Sequence, residues 1–239
     1  MMIQPPFSEP IRTVAELQQR IRSLERGAAP TQTAIRGTGC RALDALFPLQ
    51  GIRPGSVVEW IETGPASGAG TLSLLVSRQV CRAKPFVVID SRQQVYPVSM
   101  AALGFDLSRL VIVRPTTDRG TLWACEEALR SQAVGIVWAQ VEHVSITAAR
   151  RLRLAAEASS SVCFLLRPRQ ALRQPSWAEV RLVVEPLPFR NESPEYRVSV
   201  AYSQGKTLLS TTDIQIDRLR GTIDEFFPAT TTNSLSLVS

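Results

Sequence analysis

The stretch from Gly64 to Thr71 has the composition and the position of a turn that binds phosphate. It reads GPASGAGT, follows an apolar β-branched segment and precedes a run of helix-forming residues. A loop of the form G-x-x-x-x-G-K-[ST] between a strand and a helix holds nucleotide phosphates with backbone N–H groups and a lysine, while its hydroxyl binds magnesium. In this sequence Ala69 stands at the place of the second glycine, Gly70 stands at the place of the lysine, and Thr71 is retained.

The missing lysine removes the positive charge that reaches the β- and γ-phosphates, and phosphoryl transfer depends chiefly on such charge stabilisation. The backbone amides of 67–71 at the start of a helix still attract an anion weakly. Two interpretations stay open. The stretch is either a glycine-rich turn with a purely structural role, or a residual ATP-binding site formed by Gly64, Ser67, Gly68, Gly70 and Thr71. We expect no resident cofactor and no hydrolysis.

A second chemical signal is the basic segment 150–181. Its seven arginines and two glutamates give it +5 of the chain's formal net charge of +6. Arg167, Arg169 and Arg173 follow the end of a predicted strand, and Trp177 lies close by. Arginine forks bind phosphate or carboxylate, and an indole can stack on an unpaired base. The basic loop, residues 167–177, is therefore predicted to bind nucleic acid, or to be a solvated loop whose arginines meet acidic residues of a partner protein or of the same fold. Both interpretations stay open.

The elements that must position these loops alternate in type along the chain. Apolar strands are predicted near 56–62, 86–90, 110–114, 135–139 and 161–167, and helices near 71–81, 97–103, 120–131 and 146–158. Near-continuous apolar strands that alternate with helices predict an α/β fold, in which a twisted, mostly parallel sheet is flanked by helices. Beyond residue 180 the apolar residues alternate with polar ones, which predicts antiparallel strands at the C-terminal edge of the sheet.

The two ends of the chain differ from this middle part. Apolar residues spaced by three and four predict a separate amphipathic helix over 13–26, which could pack on its own core or on another protein. The last residues are small and polar, which is typical of disorder. We therefore divide the chain into an N-terminal helix with its linker (1–35), an α/β domain (36–227) and a disordered tail (228–239).

Composition narrows the class of protein. The sequence contains no run of about 18 apolar residues and no signal-like start, so we expect a soluble cytoplasmic protein without membrane contact. The four cysteines lie far apart in mostly apolar surroundings and show no metal-ligand spacing, which predicts reduced, buried thiols and no metal site. His143 is the chain's one histidine, and no residues around it support a catalytic triad.

Two long segments resemble the RecA family. GTGCRALDALFPLQGIRPGSVVEWIETGPASGAGTLSLL resembles RecA from a short helix through the first strand and the phosphate loop. VIDSRQQVYPVSMAALGFDLSRLVIVRPTTDRGTLWACEEALRSQAVGIVWA follows RecA element by element, so the resemblance covers about 36–167. By this resemblance Arg92 stands where RecA has its acidic catalytic residue, and Ala139 stands, within one residue, where its magnesium-binding aspartate falls. The resemblance implies a RecA-like fold that has lost ATP hydrolysis.

Within that group the chain resembles the ImuA family, SulA/RecA-like accessory proteins of the inducible mutagenesis cassette. The most specific match is the arginine-rich stretch LLRPRQALRQPSWAEVRLVVEPL at 165–187. This resemblance implies a non-catalytic component of an error-prone translesion synthesis complex in the SOS response, with a Y-family-polymerase-like subunit and RecA as partners. Loops after the corresponding strands of RecA line its DNA channel, which implies single-stranded DNA as a further ligand. The alternatives are a SulA-like cell-division inhibitor and a RecA paralogue that binds nucleotide weakly.

Overall fold

A computed structural model describes residues 34–81, 84–188, 193–203, 210–217 and 220–226. The helices of these residues are α1 (Arg41–Asp44), α2 (Ala69–Val80), α3 (Pro97–Ala102), α4 (Asp118–Arg130) and α5 (Ile146–Ser159), with 3₁₀ segments at Leu107–Arg109 and Arg169–Arg173. The strands are β1 (Val57–Glu62), β2 (Phe86–Ile89), β3 (Leu110–Val113), β4 (Ile136–Gln140), β5 (Val162–Pro168), β6 (Val180–Pro186), β7 (Glu195–Ser203), β8 (Thr211–Asp217) and β9 (Thr222–Glu225).

The described strands form one sheet in the order β3-β2-β4-β5-β1-β6-β7-β8-β9. Strands β1 to β6 pair in parallel, whereas β7, β8 and β9 pair antiparallel at the C-terminal edge. All side chains of β2 and β4 are buried, as expected for parallel strands that helices cover on both faces. The predicted fold class, a mostly parallel sheet with an antiparallel edge, is confirmed.

One detail of the predicted sheet is wrong. The alternating pattern beyond residue 180 assigned every later strand to the antiparallel part, but β6 pairs in parallel with β1, with Val58 opposite Val180. The reason is the connection from β5 to β6, which crosses β1 and returns the chain to the edge where β5 began. Antiparallel pairing begins with the next connection, which leads from β6 into its neighbour β7.

Two hydrophobic clusters fill the two faces of the sheet. On one face, side chains such as Trp60 and Phe164 pack with α1, α2 and α3, and their rings meet edge to face at a centroid distance of 5.5 Å. On the other face, α4 and α5 pack over residues such as Val137 and Leu165. Because side chains alternate along a strand, neighbouring residues at a strand end point to different clusters.

The helices differ in how their first turns are capped. Thr117 Oγ1 accepts a hydrogen bond from the backbone N–H of Gly120 at α4, and Ser145 Oγ accepts one from that of Ala148 at α5. Such caps satisfy amides that the helix itself leaves unpaired. Helix α2 follows Gly68, which has no side chain, and the backbone N–H of its first residue, Ala69, donates to Ser67 Oγ at 3.4 Å.

Several predictions fall on other parts of the chain. The helix at 13–26, most of the linker and the tail at 228–239 lie outside the described residues, so the proposed division of the chain stays a prediction. The four cysteines are free and buried, and burial raises the pKa of Cys125 to about 12, so that thiol stays protonated at neutral pH. Among the described helices, none is long and apolar enough to cross a membrane.

Candidate functional site

The stretch 64–71, which we call the phosphate-type loop, joins β1 to α2 at the carboxyl edge of the parallel strands. The backbone N–H of Ser67 donates to the carbonyl of Gly64 at 3.2 Å and closes a tight turn. Gly68 then adopts a φ of 83°, a left-handed conformation that glycine reaches without steric cost. The loop therefore has the strand–turn–helix setting that phosphate binding requires.

Gly70 lies at the place of the missing lysine, in the first turn of α2. A Cβ atom built on it would lie 3.5 Å from Cδ2 of Leu166, which is ordinary van der Waals contact. Space alone therefore does not require glycine here. The chemistry left to the loop is that of the helix N-terminus and the partly buried Thr71, which gives a weak attraction for an anion.

The aromatic ring of Tyr196 packs against the phosphate-type loop. Tyr196 lies on β7, its side chain belongs to the cluster around Trp60, and it is buried. A Cβ built on Gly68 would stand 2.1 Å from a ring carbon of Tyr196, a separation that real atoms do not reach. The contact joins the loop to the antiparallel edge of the sheet, so packing as well as sequence sets the shape of the loop.

Arg92 lies in the turn after β2, where the resemblance places the acidic catalytic residue of RecA. Its guanidinium pairs with the carboxylate of Glu142, which follows β4, and both side chains are more than a third exposed. A second carboxyl group, that of Glu62, lies at the end of β1. Burial raises the pKa of Glu62, and the positive charge of Arg92 acts in the opposite direction. The group beside these carboxylates is thus a cation that cannot accept a proton from water.

Asp90 is the carboxylate nearest to Arg92 in sequence, and it has a structural role. It is buried, and its oxygens accept the backbone N–H groups of Gln94 at 2.9 Å and Val95 at 3.1 Å. Arg114 lies 3.6 Å away and adds a positive charge. These two hydrogen bonds hold the turn after β2, so the contacts of Asp90 are structural.

The end of β4 shows which side chains lie on the α2 face of the sheet. Trp138 Nε1 donates to Ser73 Oγ of α2 at 2.9 Å, so Trp138 points toward α2. Alternation places Gln140 on that same face, whereas Ala139 belongs to the cluster under α4 and α5. The resemblance to RecA predicted that Ala139, or a residue next to it, stands where RecA has its magnesium-binding aspartate. In this structure the side chain on the α2 face is Gln140, a neutral amide.

A polar cleft of about 170 Å³ opens where β2, β3 and β4 end. Its lining combines hydroxyl groups, an amide and both signs of charge, from Ser91, Arg92, Pro115, Thr116, Thr117, Asp118, Gln140 and Glu142. The connections after β2 and β4 leave toward opposite faces of the sheet, and such a crevice is where ligands bind in open α/β folds. Here the Arg92–Glu142 ion pair joins its two sides.

Under the basic loop lies a buried cluster of charges that the sequence did not predict. Glu59 of β1 accepts a hydrogen bond from Arg167 Nη1 at 3.0 Å through one carboxylate oxygen and from Arg181 Nε at 2.7 Å through the other. Ser176 Oγ also donates to Glu59, at 2.7 Å. All three charged side chains are nearly inaccessible to solvent. Glu59 therefore stands between two buried guanidinium groups.

The same arginines hold the basic loop to the sheet. Arg167 donates to the side-chain carbonyl of Gln174 at 2.6 Å, and Arg181 donates to the backbone carbonyls of Gln174 and Ala171. The sequence grouped Arg167 with Arg169, Arg173 and Trp177 as residues that bind a partner. In the structure Arg167 has no exposed surface, and its guanidinium pairs with Glu59 at 3.0 Å. In this structure it supports the loop from below.

The other predicted residues of the basic loop lie at or near the surface. Arg169 and Arg173 are exposed. Trp177 is half-buried against the cluster under α5, and the guanidinium carbons of Arg150 and Arg153 each lie 5.8 Å from the centroid of its ring. The structure thus brings Trp177 together with arginines of α5.

Sequence reasoning missed Glu59, Arg181 and Gln174. A signal for the first two was present, because each is a charged residue inside an otherwise apolar strand, SVVEWI and VRLVV. An ionisable group in a strand that is covered on both faces must find a partner of opposite charge. That Glu59 pairs with Arg167, 108 residues later, requires the strand order, in which β1 lies between β5 and β6.

Comparison with known proteins agrees with this architecture. No protein-family model matches the chain. It is 31% identical over 133 residues to Protein ImuA of Caulobacter vibrioides, which covers 53% of this chain and 54% of that protein. It is 35% identical over 101 residues to Protein RecA of Haemophilus ducreyi, which covers 42% of this chain and 27% of RecA. The chain thus spans about half the length of the ImuA relative and about a quarter of RecA.

A solved structure of the RadB recombinase superposes with a TM-score of 0.63 and covers 81% of this chain and all of that one. At 16% sequence identity, this likeness concerns the fold. The chain is thus similar in sequence to ImuA and to RecA over about half of its length or less, and its fold is that of the RadB recombinase.

Proposed function

We propose that the chain is a non-catalytic RecA-like accessory protein of an error-prone translesion DNA synthesis complex in the DNA-damage (SOS) response, and that it acts through contacts with other proteins. Its partners in this proposal are a Y-family-polymerase-like subunit and RecA, with single-stranded DNA as a further ligand to be tested. The relation to ImuA supports the setting. The charge distribution around the phosphate-type loop supports the absence of catalysis.

The observation that carries the proposal is the set of side chains at the carboxyl edge of the sheet. Gly70 offers no cation to phosphates, Arg92 offers no base to water, and Gln140 offers an amide where a magnesium site needs a carboxylate. Hydrolysis of a nucleoside triphosphate depends on all three functions together. Since each is supplied by a different element, restoring one of them leaves the others missing.

The first experiment measures phosphate release from ATP and magnesium by the purified chain and by Gly70→Lys. We expect no turnover from either protein, because the variant regains a cation but has no base at Arg92. Thr71→Ala is the diagnostic variant and Thr147→Ala, an exposed threonine of α5, is its control. Turnover that Thr71→Ala removes and Thr147→Ala leaves intact would refute the non-catalytic part of the proposal.

The second experiment concerns the role in the cell. Damage-induced mutation frequency is measured in a strain that lacks the gene and carries a plasmid copy of the parent or of Thr71→Ala. We expect both copies to restore induced mutagenesis equally, because no step depends on nucleotide hydrolysis. The tagged chain is also purified from damaged cells that contain the Y-family-like subunit and RecA. Recovery of neither protein, or filamentous growth on overproduction without raised mutation, contradicts the proposal.

A further inference from the structure

The seven arginines of the segment 150–181 fall into two groups in the structure. One group pairs with carboxylates: Arg167 and Arg181 share the single carboxylate of Glu59, Arg151 pairs with Glu126 and Arg153 pairs with Glu157. The other group is exposed and has no ion-pair partner within 4.0 Å among the residues that the structure describes. It consists of Arg150, Arg169 and Arg173. We call these three side chains the arginine face.

The arginine face is held in place before any partner arrives. Arg169 and Arg173 lie on the 3₁₀ segment that the buried guanidinium of Arg181 fixes through the carbonyl of Ala171. Arg150 lies over the ring of Trp177, which is itself packed on the core. A surface whose backbone is already ordered loses less entropy on binding. The segment that carries Arg169 and Arg173 and the ring under Arg150 are therefore both fixed by contacts within the protein.

Trp177 is poorly placed to stack on a base. Part of the indole packs against the cluster under α5, and the guanidinium groups of Arg150 and Arg153 lie over the ring. Binding of unpaired nucleic acid without sequence preference normally combines a positive groove with open aromatic faces. The basic loop supplies the charge, but its one aromatic ring is occupied by the protein's own side chains.

The number of cations limits how strongly nucleic acid would bind at this face. Three arginines that neutralise three phosphates give a salt dependence of about −2 on a logarithmic scale for a single strand, because each contact contributes about 0.7. Binding of that kind is weak at physiological salt. Three arginines are, however, enough to pair bidentately with the carboxylates of a short peptide, which are spaced closely along one chain.

We propose that the arginine face binds an acidic segment of a partner protein. The inference rests on the proposed function only in that the chain acts through protein contacts. It assigns to Arg150, Arg169 and Arg173 the recognition of aspartate and glutamate side chains, and to Glu59 the positioning of the loop that carries two of them.

The test compares two labelled probes of equal charge with the full chain. One is a fluorescent peptide of alternating aspartate and glutamate, and the other is a fluorescent oligothymidylate. A peptide of asparagine and glutamine is the neutral control. Fluorescence anisotropy at 150 mM salt is expected to show tighter binding of the acidic peptide than of either other probe. Arg169→Glu and Arg173→Glu should each weaken it about threefold to tenfold.

The matched control is Arg41→Glu, which makes the same change of charge at an exposed arginine of α1, a helix that packs with the opposite face of the sheet. It should leave peptide binding within about twofold of the parent. Circular dichroism confirms that the three variants are folded. Tighter binding of oligothymidylate than of the acidic peptide overturns the inference in favour of nucleic acid. Equal weakening by Arg41→Glu, or binding of neither probe, overturns it altogether.

The two proposals fail in different ways. If the acidic peptide does not bind but the polymerase-like subunit is still recovered from cells, the arginine face is wrong and the accessory role stands. If the peptide binds and neither the subunit nor RecA is recovered, the accessory role is wrong and the arginine face stands.

Discussion

The phosphate-type loop and the basic loop follow neighbouring strands, β1 and β5, and are built in opposite ways. The first has no charged side chain between Gly64 and Thr71 and is held by the ring of Tyr196. The second stands on a buried carboxylate, that of Glu59, and exposes arginines. The same sheet edge therefore positions one loop by close packing and the other by buried charge. In this RecA-like sheet, the turn after β1 has the shape of a phosphate-binding loop but no charged side chain. The buried charges lie under the loop after β5 instead.

The largest expected effect comes from a change to the buried charges under the basic loop. Glu59→Gln keeps the size of the side chain but leaves Arg167 and Arg181 as two buried guanidinium groups without a counter-charge. Removing one partner of a buried ion pair typically costs about 3–5 kcal/mol. We expect a loss of that size in the free energy of unfolding, measured by denaturant titration.

Glu179→Gln is the control for Glu59→Gln, because Glu179 pairs with a partly exposed arginine, Arg53, at 2.9 Å. Its cost should be about 1 kcal/mol or less. If Glu59→Gln does not fold, the double variant Glu59→Gln/Arg181→Met removes one of the unpaired charges and should recover part of the stability. Equal costs for Glu59→Gln and Glu179→Gln would show that the buried cluster does not hold the basic loop.

The next largest effect comes from a change to the packing of Tyr196 against the phosphate-type loop. Gly68→Ala places a methyl group 2.1 Å from the ring of Tyr196 and forces a left-handed backbone on alanine. The left-handed conformation costs about 1 kcal/mol and overpacking adds about 1–3 kcal/mol. Denaturant titration should therefore show a loss of about 2–4 kcal/mol relative to the parent.

Gly64→Ala is the matched control for Gly68→Ala, since a Cβ at Gly64 meets nothing within 4 Å. Its effect on the free energy of unfolding should stay within about 0.5 kcal/mol. In the background of Tyr196→Ala, Gly68→Ala should lose most of its overpacking cost and keep only the backbone part. An unchanged cost in that background would mean that the ring does not shape the phosphate-type loop.

How far the sequence predicted these two loops depends on the range of the interactions. The phosphate-type loop and the parallel strands were predicted, because apolar runs and glycine-rich turns act locally. The burial of Arg167 was not predicted, because its partner Glu59 comes from a strand 108 residues earlier in the chain. The sequence also did not determine whether Ala139 or Gln140 faces α2, since a shift of one residue moves a side chain to the other face of the sheet. The contact of Trp138 with Ser73 decides it.

A smaller effect sharpens the description of the basic loop. Trp177→Leu keeps an apolar side chain against the core but removes the ring that lies under Arg150 and Arg153. Cation–π pairs at partly exposed sites contribute about 0.5–1 kcal/mol. The free energy of unfolding should fall by about 1 kcal/mol. Trp123→Leu, at an exposed position of α4, should change it by less than about 0.5 kcal/mol. A larger loss of stability from Trp123→Leu than from Trp177→Leu would contradict a stabilising role for the contacts of Trp177 with Arg150 and Arg153.

The smallest effect concerns the carboxyl group of Glu62, which precedes the phosphate-type loop. Burial raises the pKa of Glu62 above its value in the unfolded chain, so the fold disfavours the ionised form. The favourable contribution of this carboxyl group is fully present below its unfolded pKa and is lost as the pH rises through its folded pKa. Glu62→Gln removes that loss, so the variant should be slightly more stable than the parent at neutral pH, by about 0.5 kcal/mol or less, and equally stable at acidic pH.

Denaturant titration of Glu62→Gln across the acidic range measures this difference, with Glu142→Gln as the control. Glu142 faces the same guanidinium of Arg92 but is more than half exposed, so burial contributes little to its energy. If Glu62→Gln instead lowers stability at neutral pH, attraction to Arg92 outweighs burial. Charge would then stabilise the base of the phosphate-type loop as well, and the contrast between the two loops would hold only for the residues from Gly64 to Thr71.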